Sequence, residues 1–437
     1  MSNTSAGRSK WPYVPLTTVA EKIQDGTHFS PLSTSGPFRY VTSRNIRPGY
    51  LDLESCGWIS EREHKAIFRR CDPRYGDILL TKDGANTGNA SINTLHEEIS
   101  LLSSVAMIRT DPTVADGHFV LQYLLSPEGQ TRLTDLVSGN AITRLTLAKI
   151  KAFSIPSAPL PEQRAIAAVL DSLDDAIQKT EQIIAKLQQV KQGLLHDLLT
   201  RGIDDNGELR DPDRHPEQFQ DSPLGRIPKG WEVEKLRVLY SEPSRNGLYK
   251  GPAYHGRGAP MIQMGNLFAS DEVSFSDTGR VSVSESELRT FGLRVGDILF
   301  ARRSLVFEGA GRAAVVGVVP EPATFESSIV RVRLRTERIL PRFAVTYLAS
   351  HQGYLRRRAH IRQVAVSGVS GTDIASFLMA IPTLSEQQTI VETKAILDLQ
   401  IENEARARGA LMSMKNGLSD DLLTGRVRTT SLPEFSA

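Results

Sequence analysis

The sequence predicts a mixed α/β (α+β) protein built twice: a globular domain followed by a long helix, then a second copy of both, the two helices pairing as an antiparallel coiled coil. Three observations carry this. Lys191, Gly193, Leu194, Asp197, Leu198, Leu199 and Thr200 return as Lys415, Gly417, Leu418, Asp421, Leu422, Leu423 and Thr424, at a constant separation of 224. At the same separation Leu160, Glu162, Gln163, Ile166 and Asp174 fall on Leu384, Glu386, Gln387, Ile390 and Asp398, and Phe119, Tyr123 and Leu124 on Phe343, Tyr347 and Leu348. Farther upstream the separation slips to 220, as across a loop insertion, so that Arg74, Gly76, Asp77, Ile78 and Leu79 match Arg294, Gly296, Asp297, Ile298 and Leu299, and Trp11 matches Trp231. A solenoid unit runs about 20 to 50 residues, so a period this long marks a duplicated domain plus helix.

The elements follow in order. Residues 1–158 form the first domain, with short β-rich runs such as Tyr75-Gly76-Asp77-Ile78-Leu79-Leu80 and a helical stretch over 119–133. The proline-rich segment 155–161 cannot be helix interior, so the long helix occupies 159–202. Its apolar residues at 166, 170, 173, 177, 184, 187, 194 and 198 make a heptad seam that only Thr180 and Lys191 interrupt. Residues 203–228 read as an exposed linker, since 203–223 holds seven acidic residues, two arginines and three prolines. The second domain covers 229–382, its helix 383–427 and a tail 428–437. The second seam carries Ile390, Leu397, Ile401, Leu411, Leu418 and Leu422, with Lys394, Glu404, Arg408 and Lys415 on the same stripe. An antiparallel register that sets Ile166 beside Leu422 also sets Thr180 near Arg408 and Ile184 near Glu404, a polar layer able to fix the alignment. Leu195, Leu199 and Leu423 lie off the seam, where they are expected to offer a surface to a partner.

Composition narrows the function. With 437 residues, 52 Lys+Arg against 50 Asp+Glu and a net charge of +2, the chain is ordinary globular material for two to four domains. Two cysteines, Cys56 and Cys71, are too few for a disulfide framework or a Cys-based zinc site. No run approaches the roughly 18 apolar residues of a membrane span, and 1–10 lacks the apolar core of a signal peptide, so a cytoplasmic location with no membrane partner is expected. Phosphate-cradling, zinc-protease and nucleophile-elbow motifs are missing, so nucleotide hydrolysis and metalloprotease chemistry have no support and no cofactor or metal is expected. The turn Phe307-Glu308-Gly309-Ala310-Gly311-Arg312 is a weak G-x-G that reads as a hairpin shared with 82–88.

Nucleic-acid binding has more support. Residues 294–362 contain thirteen arginines, no lysine and five acidic residues, a local net of +8. Arg331, Arg333 and Arg335 alternate and should project from one strand face, and Arg356, Arg357, Arg358 and Arg362 cluster beyond a predicted helix, together a phosphate-tracking surface. Arg44, Asn45, Gln263 and Asn266 sit near glycine turns and have the side chains that read base edges. Lys82, Asn86, Arg144, Asn246, Arg302 and Arg303 complete the candidates drawn from the glycine-rich turns and basic stretches.

Asp25-Gly26-Thr27-His28, Tyr75-Gly76-Asp77-Ile78-Leu79, Pro161-Glu162-Gln163-Arg164, Asp221-Ser222-Pro223-Leu224-Gly225-Arg226-Ile227-Pro228-Lys229-Gly230-Trp231 and Asp421-Leu422-Leu423-Thr424-Gly425, in this order and over essentially the whole chain, resemble the specificity subunit of a Type I restriction-modification enzyme. The resemblance implies two target recognition domains, each reading half of a bipartite double-stranded DNA site, and helices that dock two methylation subunits, with restriction subunits in the full complex and catalysis in those partners. It adds Thr27 and His28 to the DNA-contacting candidates. Ser244-Arg245-Asn246-Gly247-Leu248 stands where the second copy should repeat the Asp-Gly-Thr-His turn. Two unequal domains on a pseudo-two-fold rod should read an asymmetric site, and a helix over 162–199, about 57 Å long, can separate them by the roughly 34 Å of one DNA turn. Two other readings compete: a specificity chain of a different restriction or phage-defence assembly, and a coiled-coil scaffold that binds proteins.

Overall fold

The computed structural model describes residues 11–137, 144–204, 206–268, 270–363 and 367–429, which leaves most of the expected tail outside the described residues. The chain divides into two compact units, unit 1 comprising Met1–Ile183 with Glu404–Ala437 and unit 2 comprising Ile184–Asn403. The long helices are Leu160–Thr200 and Leu384–Leu423. Each unit therefore holds one globular domain, the first half of the helix that follows it, and the last half of the other helix.

Inside unit 1 a four-stranded antiparallel sheet runs in the order Ala20–Asp25, Val105–Thr110, Ile78–Thr81, Ala90–Ile92. Unit 2 repeats it as Tyr240–Asn246, Ile329–Leu334, Ile298–Ala301, Ala313–Val315. The duplicated Gly-Asp-Ile-Leu motif is the reason these strands read as unbroken apolar runs. Ile78 and Leu80 face one core of unit 1 and Leu79 the other, just as Ile298 and Phe300 face one core of unit 2 and Leu299 and Ala301 the other. Each of the buried Ile, Leu and Phe side chains contributes about 1.5 to 3 kcal/mol of transfer free energy. The motif aspartates are internal as well: Asp77 binds Arg109 at 2.8 Å and Asp297 binds Arg333 at 2.6 Å, and each accepts a backbone N–H three residues earlier, from Arg74 and Arg294.

A smaller mixed sheet flanks each of these. Phe38–Val41 pairs antiparallel with Gly57–Ile59 and parallel with Ile99–Leu101, and His255–Ile262 pairs likewise with Arg280–Val281 and Thr324–Phe325. The stretch expected to be a plain exposed linker is ordered in part, because Phe219–Ser222 and Gly225–Pro228 form a hairpin that buries Phe219 and Ile227.

The helix seams fall where heptad spacing predicts: residues 166, 170, 180 and 198 are buried, and 173, 177, 184, 187, 191 and 194 are half-buried. Within unit 1 the segments run antiparallel, with Lys415 on Asp174 at 2.5 Å and Arg408 on Glu181 at 3.5 Å, one residue past the expected Thr180. Within unit 2 Lys191 pairs with Asp398, the same bond with both of its ends exchanged for their counterparts in the other copy.

The helix ends correct one expectation. Leu199 and Leu423 are not a partner surface, because Leu198 and Leu199 sit in the core of unit 2 and Leu422 and Leu423 in that of unit 1, while Leu195 packs partly buried against the former. The Glu-Gln pairs that open the helices hold these ends. Glu386 accepts from the Trp231 indole at 2.9 Å, from Arg210 at 2.7 Å and from the Ile203 amide at 2.6 Å. Glu162 accepts from Arg428 at 2.7 Å and from the Thr429 hydroxyl at 2.9 Å, with the Arg428 guanidinium over the Trp11 ring. Gln163 and Gln387 each accept one backbone N–H of the adjoining domain, from Asp116 and Leu340. Gly202 and Gly425 turn the chain at φ +64° and +68°, where a Cβ would lie 2.2 Å from Glu386 Oε1 and 2.5 Å from Trp11 Nε1.

Candidate nucleic-acid interface

The turn after the edge strand Ala20–Asp25 is set by close approach. A Cβ on Gly26 would lie 1.9 Å from the Leu101 carbonyl oxygen, so only glycine fits. Thr27 N donates to Leu101 O at 2.9 Å and Ser103 N donates to Thr27 O at 2.7 Å. The hydroxyl of the next residue, Ser104, accepts from Ser43 N at 3.3 Å, and its carbonyl accepts from Lys82 N at 2.9 Å. Lys82 O in turn accepts from Leu145 N, beside the bridge between Asp83 and Arg144. Residues 102–104 thus tie the loops of Thr27, Ser43 and Lys82 at one edge, with that of Leu145 bonded to Lys82, and the candidates His28, Arg44, Asn86 and Arg144 lie on these loops.

Three other candidates of unit 1 are spent inside the fold. Thr27 is buried and accepts from Phe29 N at 3.3 Å. Asn45 is buried too, accepting from Thr42 N at 2.9 Å and donating to Asp52 O at 3.1 Å, so it staples its own loop. Lys82, 2% exposed, places Nζ 3.1 Å from Asp25 Oδ2. Burial opposes ionisation of the Asp25 carboxyl, but the bonds from Arg70 and Lys82 outweigh it and hold its pKa below the ordinary value.

Unit 2 builds the same turn from different side chains. A Cβ on Gly247 would lie 2.0 Å from Glu326 O, Gly247 N donates to Ile329 O at 2.9 Å, and Leu248 N donates to Phe325 O at 2.8 Å. Each bond has its counterpart at Gly26 and Thr27, so Asn246 stands in the place of Asp25, Leu248 of Thr27 and the exposed Tyr249 of His28. The neighbouring loops repeat as well: Arg302 N donates to Ser328 O and Val369 N to Arg302 O. Asn266 staples its loop as Asn45 does, accepting from Gln263 N and donating to Ser276 O, while the Gln263 and Asn246 side chains are exposed. Arg302, Arg303 and Arg362 line one cleft of about 330 Å³ together with Asp373, whose carboxylate lies 3.6 Å from Arg362.

The other arginines divide. Arg331 and Arg333 do share one strand face, but the small sheet covers it: Arg331 is buried, donates to Gly292 O at 2.8 Å and stacks over Phe325, and Arg333 is taken by Asp297 and Glu242. Only Arg335 of that series is exposed, and it donates to Tyr240 O. Arg356 donates to Leu224 O at 3.2 Å, Arg357 is buried over the Tyr354 ring with burial lowering its pKa, and Arg358 is exposed beside Phe307. The triplet therefore offers one free guanidinium rather than three. The sequence reading did not single out Arg70, Tyr249 or the 102–104 hub; the Gly-to-carbonyl approach common to both copies is the signal that finds them.

A cavity of about 580 Å³ opens elsewhere in unit 2, where Lys394 lies between Asp271 and Asp398 and Arg342 pairs with Glu272. Among the described residues no cluster fit to hold a metal ion occurs, and no helix is long and apolar enough to cross a membrane.

The sequence profile of the Type I restriction modification DNA specificity domain matches residues 9–189. The specificity subunit of Type I restriction enzyme MjaVIII from Methanocaldococcus jannaschii is 24% identical over 91% of this chain and 88% of its own, and that of EcoKI from Escherichia coli K12 is 23% identical over 97% and 90%. Along nearly its whole length the chain is similar to the specificity subunits of Type I restriction enzymes. The S subunit from M. genitalium shares the fold with a TM-score of 0.57 at 14% identity, covering 97% of each chain, and a chain of a Type I R-M assembly does so with a TM-score of 0.55 at 17% identity.

Proposed function

We propose that this chain is a Type I specificity subunit that reads an asymmetric, bipartite double-stranded DNA site, one half through each domain, while docking two methylation subunits and, in the full complex, restriction subunits. The observation that carries the reading is the pair of turns at Gly26 and Gly247: one backbone frame, held by equivalent bonds, presents His28 in one domain and Tyr249 in the other. Equal frames with unequal side chains suit two half-sites of unlike sequence, whereas equal side chains would call for a palindrome. Phosphate contacts from Arg303, Arg358 and Arg362 would position the second domain and base contacts would specify it. The reading places the work in the cytoplasm, beside the DNA.

The test is methylation-site sequencing of DNA from cells that express the chain with a Type I methylation subunit. An asymmetric motif of two short blocks and an unspecified spacer is expected. A palindrome, or no motif from an assembled complex, would overturn the reading.

The helices supply the spacing in this proposal. An insertion in one helix alone, between Gln192 and Gly193, would fall inside unit 2 and displace Leu198 and Leu199 from its core. Adding one heptad to both helices, at 183/184 and at 403/404, lengthens each by about 10 Å and keeps the seam in phase. The mapped spacer should grow by about three base pairs with both blocks unchanged.

A further inference from the structure

We propose that His28 and Arg70 together read a guanine in the half-site of unit 1, an inference that rests on the recognition role proposed above. Arg70 leaves the turn that closes the helix Glu61–Phe68 and brings one guanidinium nitrogen to 2.9 Å from Asp25 Oδ1 and 3.1 Å from His28 Nε2. A guanidinium has donors and no acceptor. His28 Nε2 must therefore offer its lone pair at this contact, which leaves the proton of the neutral ring on Nδ1. Asp25 cannot swing away, because it is buried and its other oxygen is held by Lys82 at 3.1 Å.

The side chains of His28 and Arg70 are 52% and 45% exposed, so the valences not used internally face outward. All of them are donors: Nδ1–H of His28 and the remaining N–H groups of Arg70. A surface of donors matches a base edge that carries acceptors alone. In the major groove that edge is guanine, with N7 and O6 side by side. Adenine sets an amino donor beside its N7, cytosine offers an amino donor, and thymine gives one carbonyl next to a methyl group. Unit 2 lacks the device. Tyr249, whose hydroxyl both donates and accepts, takes the place of His28, and Thr290 stands where the upstream register of the repeat puts the counterpart of Arg70.

The experiment uses the full chain in complex with its methylation subunits and the mapped site. Replacing each guanine of either strand in turn by 7-deazaguanine removes N7 and leaves the protein untouched. One guanine is expected to lose roughly tenfold in affinity with the parent chain and nothing further with His28→Ala or Arg70→Ala, because the partner is already gone. Arg70→Lys keeps a cation for Asp25 and loses the planar fork. It should bind near parental affinity at the mapped site while discriminating poorly at that guanine. If Arg70→Ala does not fold, the parent, His28→Ala and Arg70→Lys decide the matter. A mapped site in which no guanine couples to His28 or Arg70 would overturn the inference alone. The lack of any methylation motif would overturn the recognition role and this inference with it.

Discussion

The two recognition edges share a frame and differ in what fastens it. In unit 1 charge reinforces the turn, with Asp25 between Lys82 and Arg70. In unit 2 Asn246 and Arg302 occupy the places of Asp25 and Lys82, and the turn keeps its backbone bonds and its glycine. Backbone hydrogen bonds and one close approach are therefore enough to define the edge, and the side chains there are free to diverge. The internal ion pairs behave otherwise: Asp77 with Arg109 and Asp297 with Arg333 are kept in both copies, as is the carboxylate clasp on each helix end.

The strongest way to break this comparison is to fill the glycine positions. Gly26→Val and Gly247→Val each force a side chain onto a carbonyl oxygen, and each should cost roughly 3 kcal/mol or more, read by denaturant unfolding. Equal losses support a common frame. A clearly smaller loss at Gly26 would mean that the ion pairs of unit 1, rather than the backbone, hold its turn.

The clasps come next. Glu386→Ala would leave the Trp231 indole and Arg210 without their acceptor and should cost about 2 to 3 kcal/mol in thermal or denaturant unfolding. In unit 1 the clasp is pH-dependent. Burial raises the Glu162 pKa, but the bonds from Arg428 and Thr429 bring it below the ordinary 4.5. A depressed carboxyl contributes stability that is present above pH 4.5 and is lost as pH falls through the lower folded value. Glu162→Gln should flatten that acid limb in a pH series of unfolding midpoints, and an unchanged limb would assign acid lability to other carboxylates.

The helix pairs should give smaller effects. Asp174→Lys opposes Lys415 and should cost about 1 kcal/mol at this half-exposed site, with recovery when Lys415→Asp is added. Lys191 and Asp398 should answer to the same exchange, and a difference would show the two halves of the seam to be energetically unequal. The smallest effect is expected at the arginine triplet. Arg358→Ala should weaken binding to all sequences alike and reduce the salt slope by about 0.9, whereas Arg357→Ala should lower stability first, since its guanidinium is buried.

Much of this was legible in the amino acids because it repeats. The seam positions and the Glu-Gln openings of the helices recur at a separation of 224, and the Gly-Asp-Ile-Leu strand at 220. Arg331 and Arg333 show where such reading stops. Their alternation does give the face they share, but not that a second sheet covers it. The segment 244–248 stands opposite the Asp-Gly-Thr-His turn in the sequence, but the role of Gly247 is not legible there, because the turn slips one further place in register and keeps only its glycine, and a lone glycine says nothing of the carbonyl beside it. Leu199 and Leu423 lie off the seam, and periodicity describes a helix pair but is silent about a globular core at its end.

The clasp of Arg428 on Glu162, with Leu422 and Leu423 in the core of unit 1, sets an order of events on the ribosome. At about 5 to 20 residues per second, the roughly 245 residues from Ile183 to Arg428 take the ribosome about 12 to 49 seconds. Unit 2 has all its residues by Asn403, while unit 1 waits for the last stretch with the Trp11 end of its core uncovered. The first domain to be made is the last to be completed, and a nascent chain that stalls after residue 403 presents to chaperones and proteases one finished body and one open one.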